Sequence, residues 1–299
     1  MAKYGIPYRG SKSKIADDIL AVLPEGKRFV DLFGGGFAMS HCAMLSDMYE
    51  QVLYNDNNKQ LTELIKDAIA GKYNYEVFKP EFVTREQFFT EKDGSAYIRW
   101  IWSFGNNGRD YIFGKNIEHY KHLLHDYVVF NKWDDELEPY TQGKRLSGAD
   151  IKDRRLQWRN IIKENCAEMK RGSHYYDKDG KDIEQLQALQ QLQQLQQLEI
   201  TSMSYTDYKY QEGDVVYCDP PYKEVNKNNY YSCNFDYDAF LNWAANADYP
   251  VYFSSYDNLN DDRFEIIWQK TIRTTMASAS NSIKVNECLY CNSKAERKK

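Results

Sequence analysis

The stretch Phe29-Val-Asp-Leu-Phe-Gly-Gly-Gly-Phe-Ala38 is a short apolar run that ends in an acid and passes directly into three consecutive glycines. Such a run is typical of a buried strand, and glycines let the following backbone approach a ligand closely. An acid at a strand end can accept hydrogen bonds from an ammonium group or from ribose hydroxyls. Alone, the pattern leaves two interpretations open: a nucleotide-like ligand, or a tight turn between a strand and a helix.

The flanking residues complete a βαβ pattern. Residues 13–23 have the periodicity of a helix, and Gln51–Asp56 form a second apolar run that ends in an acid. Asp56 follows Gly36 by about 20 residues, the spacing at which a doubly wound fold places an acid on a ribose. An adenosine-containing ligand is therefore expected, with an N-cap for the next helix as the alternative role of Asp56.

The segment Asp214-Val-Val-Tyr-Cys-Asp-Pro-Pro-Tyr222 carries the most specific chemistry. An apolar strand delivers Asp219 at its carboxyl end, and two prolines stiffen the backbone that follows. Asp219 and the Pro220 carbonyl can accept the two N–H hydrogens of an exocyclic amine, while Tyr222 offers a planar face for stacking. The alternative is a rigid proline turn after a strand. The Cys218 side chain is expected on the opposite face of the strand from Asp219, which argues against a cysteine nucleophile.

The α/β pattern is interrupted in the middle of the chain. Strand candidates return at residues 215–218, 250–255 and 264–268. We therefore expect residues 1–72 and 198–299 to build one catalytic domain, and residues 73–197 to form an insertion.

The insertion ends in a Gln/Leu-rich stretch, residues 184–199, with leucine at every third position from Leu186 to Leu198. Its composition favours a helix, but a period of three drifts around an α-helix that needs about 3.6. A structural connector and a protein-contact segment are both compatible with this pattern.

Composition excludes several classes of protein. The net charge of −5 excludes a polybasic binding module, and 42% hydrophobic residues in a chain of 299 exclude disorder over most of its length. No apolar run approaches the roughly 20 residues of a membrane span, so a cytoplasmic protein is expected. The six cysteines include one close pair, Cys288 and Cys291, which lacks the second pair of a zinc site. We therefore expect reduced structural thiols and no metal.

In this order, the motifs resemble those of the Dam-like alpha group of DNA adenine-N6 methyltransferases. Residues 8–12 resemble the N-terminal cofactor motif of that family, 31–36 its glycine motif and 55–56 its ribose motif. Residues 204–205 resemble the segment that lines the cofactor adenine, and Asp219–Tyr222 its catalytic motif. One departure is Phe37, which stands where the family often has glycine or another small residue.

The resemblance implies a Rossmann-like sheet with helices on both faces, an inserted and mostly helical target-recognition domain, and S-adenosylmethionine as cofactor, with S-adenosylhomocysteine as product. It places Lys12 on the methionine carboxylate and Asp56 on the ribose. The implied cofactor-binding residues are Tyr8, Lys12, Asp31, Phe33, Gly34, Gly35, Gly36, Asp56, Ser204, Tyr205 and Asp219, and the implied catalytic residues are Asp219, Pro220 and Tyr222.

The expected activity is transfer of a methyl group to the N6 amine of an adenine flipped out of duplex DNA. Candidate DNA contacts are Arg9, Asn106, Asn107, Arg109, Lys115 and Tyr222; a structural turn is the alternative role of the 105–111 segment. The alternatives for function are an RNA adenine-N6 or DNA cytosine-N4 methyltransferase, and a catalytically silent DNA-binding regulator. The expected partner is double-stranded DNA, with a cognate restriction endonuclease if the chain serves restriction-modification, and no membrane association is expected. We expect a monomer or weak dimer in the cytoplasm of a prokaryotic or phage-infected cell.

Overall fold

The computed structural model describes residues 3–141, 143–165, 178–195, 197–222, 235–256, 259–273 and 284–292. The chain forms two compact units. The sheet unit comprises residues 2–5, 10–62 and 194–299, and the helical unit comprises residue 1, residues 6–9 and residues 63–193. The predicted domain boundary between residues 72 and 73 lies further along the chain than the boundary between the two units at residues 62 and 63. The roles of the two parts remain predictions.

The sheet unit is built on seven strands. They are β1 (Gly26–Asp31), β2 (Tyr49–Asn55), β3 (Leu198–Thr201), β4 (Asp214–Cys218), β5 (Val251–Tyr256), β6 (Phe264–Arg273) and β7 (Lys284–Asn292). Their order across the sheet is β3-β2-β1-β4-β5-β7-β6.

The first five strands run parallel, and β7 pairs antiparallel with both β5 and β6. Since β1 and β4 are central neighbours, Asp31 pairs with Tyr217, and the carboxyl ends of these strands lie together. The order reverses between β1 and β4, and ligands of doubly wound sheets bind in the crevice outside such a reversal. Asp31, the last residue of β1, and Asp219, the residue after β4, are therefore delivered to the same end of the sheet.

The helices are α1 (Ala16–Leu20), α2 (Ala38–Met44), α3 (Lys59–Ile69), α4 (Arg85–Glu91), α5 (Ala96–Ile101), α6 (Glu118–Phe130), α7 (Glu138–Thr141), α8 (Ile151–Asn165), α9 (Lys178–Ala188) and α10 (Tyr237–Asn246). Among the residues that the structure describes, none of these helices is long and apolar enough to cross a bilayer.

Helices cover both faces of the sheet. Phe240 of α10 packs in one buried cluster with Val30, Leu53 and Val216 of the central strands. Successive strand residues point to opposite faces of a sheet, so Tyr54 faces away from the cluster that contains Leu53. On that second face, the Phe37 ring at the start of α2 meets the Tyr54 ring edge-on at 5.2 Å. This arrangement agrees with the predicted Rossmann-like methyltransferase fold.

The predicted helix over residues 13–23 is divided in the structure. A 3-10 turn at Lys12–Lys14 precedes the short helix α1, and Ile15 between them has a φ of −128°. The reason is local hydrogen bonding, because Ser11 caps the turn and the Ser13 hydroxyl accepts the N–H of Tyr4 at 2.9 Å. Lys12 therefore lies in the 3-10 turn and not in α1, and its side chain belongs to the site described below.

The start of the central strands is fixed by a buried ion pair. The Arg28 guanidinium donates two hydrogen bonds to Asp214, both at 2.8 Å, and these residues are direct partners in the β1–β4 register. Tyr208 also donates to Asp214. A bidentate pair of this kind adds directional specificity, so it supports the strand register opposite the carboxyl ends.

The helical unit has its own core. Leu124 and Val128 of α6 pack against Ile151, Trp158 and Ile161 of α8. Helix α6 ends at Asn131, which adopts a left-handed conformation with φ 56°, a residue type that tolerates this region.

The Gln/Leu-rich stretch is helical in two different forms. Helix α9 gives way to a 3-10 helix over Leu189–Leu195, and strand β3 follows. A 3-10 helix has three residues per turn, so leucines spaced by three stay on one face. Leu189 and Leu192 of this helix are buried, as is Leu186 in the last turn of α9. The period that argues against an α-helix therefore suits the structure that forms.

Candidate active site

The glycine loop after β1 is held by the end of β2. The Gly34 N–H donates to the Asn55 carbonyl at 2.8 Å, and the Gly35 N–H donates to the Asp56 carboxylate at 3.0 Å. The Tyr54 hydroxyl donates to the Gly35 carbonyl at 2.8 Å. Because both glycine amides and one carbonyl are engaged, the loop has a fixed shape next to the carboxyl ends of β1 and β2.

Gly34 has to be glycine at this point. A Cβ placed there would lie 2.1 Å from the Tyr54 ring and 3.2 Å from the Asn55 carbonyl oxygen. The loop is followed by Phe37, a buried non-glycine residue with φ 68°. That left-handed conformation is strained for a bulky residue, which is a physical reason why small residues suit this position.

Asp56 organises the loop and does not cap α3. Its carboxylate accepts from Asn58 N at 2.8 Å and from Gly35 N at 3.0 Å, whereas the Asn58 side chain accepts from Leu61 N at 3.3 Å. Asn58 is therefore the N-cap of α3. Burial raises the Asp56 pKa, although the hydrogen bonds from Asn58 and Gly35 oppose the shift.

Asp31 is a buried carboxylate with one oxygen that lacks a hydrogen-bond partner among the described residues. It is 1% exposed, and Ser40 Oγ donates to its Oδ2 at 2.7 Å, while its Oδ1 has no hydrogen-bond partner among the described residues. Burial, with smaller contributions from Asp219 and Asp56 against the Ser40 hydrogen bond, raises the Asp31 pKa to about 7. A buried unsatisfied acceptor is costly, so this oxygen suits a cationic or hydrogen-bonding ligand group.

Asn55 joins the segment after β3 to this edge of the sheet. Its amide nitrogen donates to the Leu32 and Met203 carbonyls at 2.9 and 3.1 Å, and its oxygen accepts from Thr201 Oγ1 and Met203 N, both at 2.9 Å. All four hydrogen-bonding positions of the amide are used. Asn55 thereby fixes where the next residues, Ser204 and Tyr205, can lie.

Ser204 and Tyr205 border the glycine-loop side of the site. The rings of Tyr205 and Phe33 are 5.3 Å apart, and Ser204 is exposed and caps a short 3-10 turn by accepting from Thr206 N. Burial raises the Tyr205 pKa. The predicted cofactor residues Asp31, Phe33, Gly34, Gly35, Gly36, Asp56, Ser204 and Tyr205 all belong to the sheet unit.

The second half of the site is a four-residue cluster at the end of β4. The Lys12 ammonium lies 2.7 Å from each carboxylate oxygen of Asp219 and 3.3 Å from Glu287 Oε1. The Tyr222 hydroxyl contacts the same two carboxylates, Asp219 at 3.1 Å and Glu287 in a short hydrogen bond. We call Lys12, Asp219, Tyr222 and Glu287 the carboxylate cluster.

The carboxylate cluster is strongly shielded from water. The side chains of Lys12, Asp219 and Glu287 are 10%, 20% and 3% exposed. Burial lowers the Lys12 pKa, but the charges of Asp219 and Glu287 outweigh it and leave that pKa above its usual value. Burial raises the pKa of Asp219, opposed by Lys12 and assisted by Glu287. One cation therefore serves two carboxylates, and the cluster carries a net negative charge whenever both are ionised.

The other residues of the β4 motif are buried. Tyr222 is 8% exposed, and its ring meets that of Tyr256 edge-on at 4.8 Å. Pro220 is buried beside it. Cys218 lies in the apolar cluster with Phe240, where burial raises its pKa well above the usual value. Its thiol is therefore a packing group, as predicted.

The predicted site residues of the helical unit are engaged in internal contacts. The Tyr8 ring packs on Trp100 at 5.2 Å. Asn106 is 8% exposed and donates to the Trp100 carbonyl and to Asp182. Asn107 accepts from the N–H groups of Arg109 and Asp110.

These contacts fit the structural-turn alternative for the 105–111 segment. The Arg109 guanidinium pairs with the adjacent Asp110 at 2.7 Å. Lys115 is exposed and Arg9 is partly exposed. The side chains of Arg109 and Asp110 are both about half exposed, whereas the amide of Asn106 is buried and is not presented for base reading.

Glu287 and Asn55 are the site residues whose roles the sequence did not predict. Glu287 stands in β7, where a glutamate between polar and apolar residues is typical of an exposed strand position. Glu287 is only 2% exposed, and its burial depends on Lys12 and Tyr222, which are distant in the chain. Asn55 was assigned only as part of the ribose motif, because its four hydrogen bonds require the β2–β3 register. Among the described residues, no group of three or more potential metal ligands is assembled.

Part of the chain matches a known protein family. Residues 8–133 match the family described as D12 class N6 adenine-specific DNA methyltransferase. The match includes the 8–12, glycine and ribose motifs and ends before Asp219. A comparison with curated proteins found no match. The family match confirms the resemblance to the Dam-like adenine-N6 methyltransferases on which the site residues were predicted.

Proposed function

Because residues 8–133 match a family of DNA adenine-N6 methyltransferases, we propose that this chain transfers a methyl group from S-adenosylmethionine to the N6 amine of an adenine flipped out of double-stranded DNA. The observation that carries the proposal is the placement of Asp219. It follows the central strand β4, next to β1, whose own terminal acid and glycine loop offer the features of a nucleotide-type site.

The residues at the end of β1 suit the proposed cofactor. The unpartnered Oδ1 of Asp31 is an acceptor for an ammonium group such as that of the methionine moiety. The Phe33–Tyr205 ring pair and the exposed Ser204 suit a purine, and Asp56 retains acceptor capacity for ribose hydroxyls beyond its bonds to Asn58 and Gly35. When bound, S-adenosylmethionine supplies an electrophilic methyl group on a sulfonium. The methionine contacts of Tyr8 and Lys12 belong to this proposal as well.

Asp219 acts on the amine. The lone pair of the adenine amine is delocalised into the ring, which makes the nitrogen a poor nucleophile. A hydrogen bond from N6–H to the Asp219 carboxylate, and a second to the Pro220 carbonyl, favour a more tetrahedral nitrogen with a localised lone pair. As the new carbon–nitrogen bond forms, the amine carries a surplus proton, which Asp219 can accept before it passes to water. No covalent bond to the enzyme is needed.

The adenine has to leave the helix to reach this site. Its amine is paired inside duplex DNA, so extrusion costs a few kcal/mol, and stacking on an aromatic side chain offsets part of that cost. Tyr222 is the aromatic residue of the motif, and its hydroxyl bonds to Asp219 and Glu287 fix the ring. A fixed ring loses little entropy on stacking, which favours it as the platform.

The experiment is a transfer assay with S-adenosylmethionine labelled in the methyl group. Substrates are unmethylated duplex DNA, the same duplex with adenine replaced by N6-methyladenine, and double-stranded RNA of equivalent sequence. We expect label in the first substrate only, recovered as N6-methyladenine after digestion and mass spectrometry. Label in RNA but not DNA, or label recovered as N4-methylcytosine, would replace the proposal by one of those activities. Binding of DNA and S-adenosylhomocysteine without transfer would indicate a silent regulator.

A further inference from the structure

Glu287 shares both of the polar neighbours of Asp219. The Lys12 ammonium lies within 3.3 Å of Glu287 Oε1, and the Tyr222 hydroxyl donates to that same oxygen. Glu287 is 2% exposed, and it pairs with Tyr256 in the β5–β7 register, so the sheet fixes its backbone. A buried glutamate with two such partners is not a solvated surface charge.

The pattern of contacts creates a competition at Asp219. Both of its carboxylate oxygens accept from Lys12 at 2.7 Å, and Tyr222 adds a third contact at 3.1 Å. In the proposed reaction, at least one of these oxygens has to accept a hydrogen from the target amine. A carboxylate has about four acceptor positions, of which Lys12 occupies two and Tyr222 contacts a third. A shift of Lys12 toward Glu287 Oε1, 3.3 Å away, therefore leaves Asp219 more open to the amine.

We infer that Glu287 is a positioning residue for methyl transfer: it holds Lys12 and Tyr222 so that Asp219 is released to accept the target amine. The inference rests on the proposed function. Glu287 touches neither the amine nor the methyl group in this scheme and acts through Lys12. The cluster also keeps its second negative charge close to the amine nitrogen, where positive charge develops as the new bond forms.

In this scheme the transfer rate depends on the charge of Glu287 more than on its volume, whereas a packing role would depend on its volume. Glu287→Gln keeps the volume but removes the charge that attracts Lys12, so Lys12 stays on both oxygens of Asp219. Glu287→Asp keeps the charge on a shorter stem, and the flexible lysine can follow it. We therefore expect Glu287→Asp to be the more active of the two variants. A residue that only fills space gives the opposite order, because glutamine fits where aspartate leaves a cavity.

The test measures single-turnover methyl transfer on duplex DNA, dissociation constants for S-adenosylhomocysteine and DNA, and thermal unfolding, for wild type, Glu287→Gln, Glu287→Asp and a control, Glu265→Gln, on the exposed side of β6. We expect Glu287→Gln to lose at least about 30-fold in the transfer rate, with both dissociation constants within about threefold of wild type. Glu287→Asp should recover at least a third of the wild-type rate, and Glu265→Gln should match wild type.

Other outcomes contradict either the positioning role of Glu287 or the proposed function. A Glu287→Gln rate within threefold of wild type, or a glutamine variant faster than the aspartate variant, overturns the positioning role while leaving the proposed function intact. A loss explained by weakened ligand binding or by unfolding at the assay temperature also overturns it. Failure of wild type to methylate DNA overturns the proposed function itself, and this inference with it.

Discussion

The ammonium of Lys12 lies 2.7 Å from both carboxylate oxygens of Asp219. These residues are separated by most of the chain, and the 3-10 turn that carries Lys12 is brought to the carboxyl end of β4 within the sheet unit. The residue proposed to receive the target amine is thus held in place by a cation, which limits the reorganisation that the reaction requires.

Replacing Asp219 by asparagine should abolish most methyl transfer. Asparagine preserves the shape, but it removes the negative charge and one acceptor oxygen, so we expect the transfer rate to fall by at least about 100-fold. The fold should persist, since Lys12 keeps Glu287 as a partner. Labelled-methyl transfer and thermal unfolding check the two parts. A fully active, folded variant would show that Asp219 does not act on the amine.

Asp31 should make the ligand-free protein less stable as pH rises. Its pKa of about 7 in the folded protein lies above the ordinary value near 4, so the folded state binds the proton more tightly. The free energy of unfolding therefore decreases between about pH 4 and pH 7 and levels off above. We expect Asp31→Asn to remove this dependence and to stabilise the ligand-free protein at pH 8 by on the order of 4 kcal/mol.

Urea unfolding at several pH values measures the effect of Asp31, with Asp207→Asn as the exposed control. The same Asp31→Asn substitution should weaken binding of S-adenosylhomocysteine, because it removes the negative charge that attracts the ammonium group. A variant that is less stable than wild type at pH 8, yet binds the ligand normally, would contradict both parts of this prediction.

Adding a methyl group to Gly34 should damage the glycine loop. The new Cβ meets the Tyr54 ring at 2.1 Å and the Asn55 carbonyl at 3.2 Å, so the loop has to move. We expect Gly34→Ala to lower the free energy of unfolding by about 1–3 kcal/mol and to raise the dissociation constant for S-adenosylhomocysteine more than tenfold. Gly94→Ala is the matched control, because its nearest neighbour would be 3.7 Å away. Calorimetric titration with unchanged affinity would refute the prediction for Gly34.

The 3-10 helix over Leu189–Leu195 leads to a prediction about stability alone. Leu189 is fully buried, whereas Gln191 is exposed on the same 3-10 helix. We expect Leu189→Ala to cost about 2–4 kcal/mol and Gln191→Ala less than about 0.5 kcal/mol. Chemical unfolding of both variants compares them. Equal costs would mean that the leucines do not form a buried face.

The strands were predictable where burial is complete. Strands β1, β2 and β4 are buried near the centre of the sheet and therefore appear in the sequence as continuous apolar runs ending at polar residues. Strand β3, Leu198–Thr201, was not predicted, since this four-residue edge strand is only partly buried and directly follows a repeat with another period. Its pairing with β2 is a tertiary event that no local pattern encodes.

The site was predictable to the extent that it lies at strand ends. Asp31, Asp56 and Asp219 each follow an apolar run, so their position could be inferred from the pattern. The partners Glu287 and Lys12 could not be paired in advance, because their contact depends on the antiparallel return of β7. Asn106 shows a limit of such patterns: the sequence predicts that this polar side chain in a glycine-rich turn faces DNA, whereas its amide donates to the Trp100 carbonyl and to Asp182 of α9.

The 3-10 helix of the Gln/Leu stretch has a consequence for insertions and deletions. The repeating unit of the stretch is one Gln-Gln-Leu triplet. Each triplet is one complete turn of a 3-10 helix, about 6 Å of rise. An insertion or deletion of whole triplets within this helix therefore keeps Leu189 and Leu192 on the buried face, whereas a change of one or two residues would turn the later leucines of the helix toward water.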